Sequence, residues 1–124
     1  MTTPLALVFY EAPLPGSKLV NRLQDLNYRV VVHSQAASLV QQAKESKPFL
    51  MIVDLAGTAD VSAAIGDLRK DPETAHIAVL AYAKDAQEER RSAAHAAGAT
   101  MVASDTAVLT YLPQLIQQML ELES

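Results

Sequence analysis

The feature that most constrains the fold is a short apolar run that ends on a single carboxylate. Five apolar residues, Phe49 to Val53, are followed directly by Asp54. A run this short and this apolar is typical of a strand buried on both faces, as in the middle of a parallel sheet. Ligands and reactive groups collect just beyond the carboxyl ends of such strands. Asp54 is therefore the first candidate functional residue.

Four further apolar runs alternate with segments of helical periodicity. The predicted strands are residues 5–10, 28–32, 49–54, 77–82 and 99–103, and helices are predicted over about 17–26, 34–43, 60–70, 85–97 and from near 110 onward. Strands that alternate with helices through short connections indicate an α/β fold with helices on both faces of a parallel sheet. Right-handed crossovers then predict a flavodoxin-like (βα)5, doubly wound, five-stranded sheet of order 2-1-3-4-5.

Two local details complete this prediction. Residues 11–16 contain two prolines and a glycine and are predicted to form a loop, with Ser17 as the cap of the first helix. Pro113 is tolerated only in the first turn of a helix, which predicts a regular start near Thr110 after an irregular lead-in from Asp105.

Composition excludes several classes of protein. With 124 residues, half of them hydrophobic, the chain is predicted to form one domain, residues 1–124. It has no cysteine, which excludes disulfides and thiolate metal sites. The net charge is −4 without clustered positive charge, so nucleic acid is not an expected partner. No apolar run approaches the roughly 20 residues of a membrane span, and we expect a soluble cytoplasmic protein.

Three phrases in this order of elements carry a resemblance to a known family. Residues 52–55 end a strand on an aspartate, residues 68–80 lead into the fourth strand, and residues 93–99 form an alanine-rich helix end with a Gly-Ala turn. Over nearly its whole length the chain resembles the receiver domain of two-component response regulators. The resemblance implies that Asp54 is equivalent to the phosphoacceptor, and that the chain is a non-enzymatic signal-transduction module with a histidine kinase or a downstream effector as partner.

The positions that serve the phosphoacceptor in this family are substituted here. Phosphoryl transfer requires positive charge on the transferred oxygens, usually from a divalent cation and a lysine. The family's two acidic residues after strand one align with Phe9 and Tyr10, and a one-residue shift recovers only Glu11. The metal ligands that the resemblance implies are therefore Glu11, Asp54 and the backbone carbonyl of Ala56. We expect this Mg²⁺ site to be absent or impaired.

The remaining family positions are also altered. The resemblance places Ala83 where a hydroxyl residue is usual, Asp105 where a lysine is usual, and Val102 where an aromatic switch residue is usual. We therefore predict a degenerate receiver, or pseudo-receiver, in which phosphorylation is impaired or absent and Asp54 instead binds local backbone N–H groups. Two alternatives stay open: an atypical response regulator phosphorylated on Asp54, and a flavodoxin-like domain that binds a small ligand at the strand ends.

The last predicted helix carries more apolar residues than one stripe needs. A helix that packs on one sheet face needs only a narrow apolar stripe, and the surplus indicates a second contact. The resemblance implies a docking or homodimer face on helix four, strand five and helix five. The residues predicted for this face are Tyr82, Leu109, Tyr111 and Leu120.

Overall fold

The structure, a computed structural model, describes residues 4–11, 13–56 and 61–123. The strands are β1 (Leu5–Phe9), β2 (Arg29–His33), β3 (Leu50–Asp54), β4 (Ala78–Ala83) and β5 (Met101–Ser104). The helices are α1 (Pro13–Asp25), α2 (Leu39–Ser46), α3 (Val61–Lys70), α4 (Glu88–Ala97), α5 (Asp105–Thr110) and α6 (Leu112–Glu123), with short 3-10 turns at Ala36–Ser38 and Asp85–Gln87. None of the helices in these described ranges is long and apolar enough to span a bilayer.

The five strands form one parallel sheet of order β2-β1-β3-β4-β5, which confirms the predicted flavodoxin-like fold. The central strand is β3, whose five residues are all buried. Its last residue, Asp54, is paired with Tyr82 of β4, and Phe9 at the end of β1 is paired with Val53. The carboxyl ends of the three middle strands therefore lie side by side at one edge of the sheet.

Each face of the sheet has its own hydrophobic core, because successive strand residues point to opposite sides. One core joins Leu7, Met51 and Val79 of the strands to the inner faces of α2, α3 and α4. The other joins alternate strand residues, such as Ile52 and Leu80, to α1, α5 and α6. The doubly wound arrangement thus follows from strands that are apolar on both sides.

Two segments that were predicted to be irregular are helical. The predicted loop 11–16 is helical from Pro13 onward, so Ser17 lies inside α1 and does not cap it. Prolines are compatible with this position because N–H groups in the first turn of a helix have no partner within the helix. The predicted irregular lead-in from Asp105 is also helical, although Pro113 does lie in the first turn of α6 as expected.

The amino-terminal edge of the sheet is held together by the side chain of Arg69, at the end of α3. Its Nε donates to the carbonyl of Gly98 at 2.7 Å, and its Nη1 donates to the carbonyls of Ala75 at 2.7 Å and Ile77 at 2.8 Å. Its Nη2 donates to Thr100 Oγ1 at 2.9 Å. One guanidinium therefore joins α3, the end of α4 and the segments that lead into β4 and β5.

Candidate functional site

Asp54 lies at the carboxyl edge of the sheet, and its side chain is almost closed off from solvent. Its relative exposure is 4%, although it ends a strand and precedes a loop. Its Oδ1 accepts a hydrogen bond from the backbone N–H of Ala56 at 2.7 Å. This bond confirms the prediction that the carboxylate binds local backbone N–H groups.

The second carboxylate oxygen of Asp54 is bonded to a tyrosine. The Tyr82 hydroxyl donates to Asp54 Oδ2 at 3.3 Å, and Tyr82 is only 1% exposed. The prediction that Tyr82 lies on the docking face is therefore wrong, because the ring belongs to the core. The hydroxyl that faces Asp54 comes from this residue, whereas Ala83 is buried and paired with Ser104.

Sequence reasoning missed this contact because it treated Tyr82 only as a possible interface residue. The signal that reveals it is the strand register, in which Asp54 and Tyr82 are direct partners. Partners in adjacent strands present their side chains on the same face of the sheet. An aromatic side chain at Tyr82 is thus able to reach the carboxylate of its neighbour.

Burial raises the pKa of the Asp54 carboxyl, because removal from water disfavours the charged form. The hydrogen bonds from Ala56 and Tyr82 lower this pKa in part, whereas the negative charges of Asp105 and Glu11 raise it further. Burial and the same carboxylate also raise the pKa of the Tyr82 hydroxyl, which stays protonated as a donor. The carboxyl edge therefore disfavours additional negative charge.

The residues proposed as metal ligands do not fit Mg²⁺ well. Glu11 and Ala56 are exposed, but Asp54 is closed and each of its oxygens already accepts a hydrogen bond. Mg²⁺ retains several waters and requires octahedral space around it. In the described ranges, no group of three or more His, Cys, Asp or Glu side chains is placed to hold a metal ion.

The side chains at the other substituted positions either pack into the hydrophobic cores or lie at the start of α5. Phe9 is fully buried, while Tyr10 and Val102 are partly buried against opposite cores. Asp105 is the first residue of α5, and its Oδ1 accepts from the N–H of Thr106 at 2.8 Å. The hydroxyl of Ser104 caps the same helix by accepting from the N–H of Ala107 at 3.1 Å.

Two arginines of α4 contact the loops of this edge, a role that sequence reasoning did not assign. Arg90 Nη1 donates to the carbonyl of Leu55 at 2.6 Å, directly after Asp54. Arg91 Nη1 donates to the carbonyls of Lys84 and Ala83. The positive charges of α4 therefore hold backbone carbonyls.

The other three residues predicted for the docking face differ in their exposure. Tyr111, between α5 and α6, is 56% exposed. Leu109 and Leu120 are partly buried against the core beneath these helices. Leu122, near the end of α6, is 66% exposed and extends the apolar surface.

Several solved structures that this chain resembles are receiver domains or response regulators. The chain is similar to a candidate response regulator of Chloroflexus aurantiacus, with a TM-score of 0.86 and 18% identity over 97% of this chain and 99% of that one. A receiver domain of a Pseudomonas aeruginosa sensor histidine kinase, with magnesium coordinated in its active-site cleft, gives a TM-score of 0.85, 16% identity and coverage of 97% and 99%.

The chemotaxis response regulator CheY4 of Vibrio cholerae gives a TM-score of 0.82 and 16% identity over 95% of this chain and 99% of that one. No protein-family model matches the chain, and no curated protein sequence matches it. At these identities the likeness shows the fold, which is that of receiver domains.

Proposed function

We propose that this protein is a receiver-like module of two-component signalling that acts through protein contacts, without enzymatic activity, and in which phosphorylation of Asp54 is impaired. The fold and the position of Asp54 at the end of β3 support the receiver-like role. The observation that carries the second part is the closed carboxylate, which is 4% exposed and bonded through both oxygens.

Electrostatics support the same proposal. Asp105 stands where the resemblance leads one to expect a lysine, and its negative charge raises the pKa of Asp54. Two unit charges about 4 Å apart interact by roughly 4 kcal/mol at an effective dielectric near 20. Loss of one such attraction in the transition state slows a reaction by about three orders of magnitude. Replacement of attraction by repulsion increases this deficit.

The proposed partners are a histidine kinase, a downstream effector or a second copy of the chain. The surface proposed for them comprises α4, β5, α5 and α6, and its apolar part is formed by Leu109, Tyr111, Leu120 and Leu122. Tyr111 and Leu122 are the exposed members of this set, and exposed aromatic and aliphatic side chains anchor protein interfaces.

Phosphorylation is tested by incubation with acetyl phosphate and Mg²⁺, followed by intact mass measurement. We expect no mass gain of one phosphoryl group under conditions in which an active receiver domain is modified. Amide NMR spectra recorded with and without beryllofluoride and Mg²⁺ provide a second test. We expect the signals near residue 54 to stay unshifted in the wild type, as they do in the control variant Asp54→Asn. A phosphoryl group mapped to Asp54 at the rate of the active control would refute impaired phosphorylation.

The surface is tested by light scattering and by binding measurements with Leu122→Glu. A charge on the 66% exposed Leu122 is expected to weaken self-association or partner binding without unfolding the domain. The matched control is Val32→Glu, because Val32 is 45% exposed on β2, an edge strand at the other side of the sheet. Equal effects of the two variants would contradict the proposed surface.

A further inference from the structure

We propose that the groove between α1 and α5 binds the end of α6 from a second copy of this chain, with Lys18 and Arg22 of one copy facing Glu121 of the other. This inference rests on the proposed function, in which α5 and α6 form part of the docking surface. It adds the identity of the partner and the chemistry of the contact.

The groove carries two cationic side chains beside an apolar one. It is lined by Leu109 of α5 and by Lys18, Asn21, Arg22 and Asp25 of α1, and its volume is about 440 Å³. The two helices pack against each other, so the groove runs along their junction. The four α1 residues are exposed, whereas Leu109 is partly buried. A groove of this kind fits a segment that presents a negative charge together with an aliphatic side chain.

The two cations of the groove have no ion-pair partner within residues 4–11, 13–56 and 61–123. Lys18 and Arg22 are four residues apart on α1, a spacing at which like charges are neighbours on the helix surface and repel each other. Asp25 lines the same groove and, among the described residues, is paired with neither of them. A negative charge supplied from outside the chain would relieve this repulsion.

The end of α6 has the complementary character. Leu122 is 66% exposed, and Glu121 beside it is also exposed. The last turn of α6 contains no basic residue, although cations are favoured near the carboxyl end of a helix, where the backbone dipole is negative. The helix end therefore combines negative charge with an exposed aliphatic side chain, which is the combination that the groove fits.

The groove and the end of α6 lie on the same side of the sheet, which allows a reciprocal contact. Helices α1, α5 and α6 all pack on one face. Two copies that meet through this layer can each place the end of α6 in the groove of the other, as in a two-fold dimer with two identical contacts. Leu122 of one copy then packs beside Leu109 of the other. Because each contact occurs twice, one substitution changes two sites.

The dimer is tested by sedimentation equilibrium with charge reversals on the two sides of the contact. We expect Arg22→Glu and Glu121→Arg each to raise the dimer dissociation constant at least about tenfold, because attraction becomes repulsion at two sites. Both reversals in one chain restore opposite charges, and the constant should return to within about threefold of the wild type. The matched control is Lys70→Glu, an equal change of charge at an exposed position on α3, with an expected change below about twofold.

Salt provides a second measurement, because the Debye length is only about 3 Å at about 1 M salt. The wild-type dimer should weaken there, whereas Arg22→Glu should lose little more. Circular dichroism reports whether each variant is folded. If the reversal unfolds the domain, Arg22→Gln serves in its place, with an expected increase of about threefold in the dissociation constant.

The inference is overturned if Arg22→Glu dimerises as tightly as the wild type, or if the double variant stays as weak as the single ones. A wild type that is monomeric up to about 1 mM would overturn the second copy as occupant and leave the groove to an acidic segment of another protein. Phosphorylation of the wild type by acetyl phosphate would instead refute the proposed function, so the two failures are distinguishable.

Discussion

The charged side chains at the two edges of the β-sheet, half-buried Arg69 and buried Asp54, differ in how well hydrogen bonds compensate their charge. At the amino-terminal edge, the guanidinium of Arg69 donates four hydrogen bonds of 2.7 to 2.9 Å to three carbonyls and one hydroxyl. At the carboxyl edge, the carboxylate of Asp54 accepts one short bond and one longer bond of 3.3 Å. Hydrogen bonds therefore compensate the positive charge of Arg69 well and the negative charge of Asp54 poorly.

The ionisation of acidic residues at the two edges shows the same difference. The backbone N–H of Glu73 and the ammonium of Lys44, 3.1 Å away, lower the pKa of Asp71 at the amino-terminal edge. Burial raises the pKa of Asp54 at the other edge. Unfavourable arrangements of this kind concentrate at functional sites, where stability is sacrificed for a role. The comparison therefore favours the Asp54 edge as the candidate functional site.

The largest effect on stability is expected from Arg69→Met. The substitution leaves the carbonyls of Gly98, Ala75 and Ile77 without their donor, and we expect the free energy of unfolding to fall by about 3 kcal/mol. Urea denaturation measures this change. The control is Lys70→Met at the exposed neighbouring position, with an expected change below about 0.5 kcal/mol. Similar losses in both variants would show that the Arg69 contacts do not organise this edge.

A smaller loss is expected from Gly98→Ala. Gly98 has φ +118°, and an added Cβ would lie 2.6 Å from Arg69 Cγ, within a side chain held by four bonds. We expect the free energy of unfolding to fall by about 2 kcal/mol because of backbone strain and this clash. Gly66→Ala is the matched control, since no atom lies within 4 Å of its added Cβ, and it should stabilise α3 by about 0.5 kcal/mol. Thermal unfolding of both variants measures the difference, and a loss in Gly66→Ala equal to that in Gly98→Ala would contradict it.

At the other edge, Asp54→Asn is expected to stabilise the protein at pH 7 by about 1 kcal/mol. Because the pKa of Asp54 is raised in the folded state, the folded protein binds more protons than the unfolded chain between the two pKa values. The contribution of Asp54 to stability therefore falls as pH rises from the unfolded value of about 3.9 through the folded one.

The advantage of Asp54→Asn should accordingly disappear as pH falls below the unfolded pKa, and denaturation at several pH values measures it. Asp67→Asn, at an exposed site on α3, is the matched control. An Asp54→Asn variant that is less stable than the wild type at pH 7 would show that the carboxylate edge is as well satisfied as the Arg69 edge.

The smallest effect is expected in the ionisation of Asp54 after Asp105→Asn. The negative charge of Asp105 contributes to the raised pKa of Asp54, so its removal should lower that pKa while burial still keeps it above the ordinary value. Carboxyl ¹³C shifts followed through a pH titration measure the change. The opposite direction is expected for Tyr82→Phe, which removes a hydrogen bond to the carboxylate. Identical titrations in all three proteins would contradict both assignments.

The periodicity of the sequence was sufficient to predict the architecture. Continuous apolar strands such as residues 50–54 pack on both faces, and a doubly wound parallel sheet is the arrangement that buries them. The helix that follows Asp85 ends at Ala97, before Gly98, as predicted. The start of α1 was not predictable from the breakers in residues 11–16, because prolines are compatible with both a loop and a first helical turn.

The sequence by itself determined the fold class, the strand order and the place of Asp54 at a strand end, since these depend on local patterns that repeat along the chain. Only the tertiary structure decided which side chain donates a hydrogen bond to Asp54. Tyr82 is 28 residues away and meets the carboxylate because β3 and β4 pair in this register. A shift of one residue in the register would turn the side chain to the opposite face of the sheet. Burial, and with it the ionisation of Asp54, likewise depends on groups brought together from distant parts of the chain.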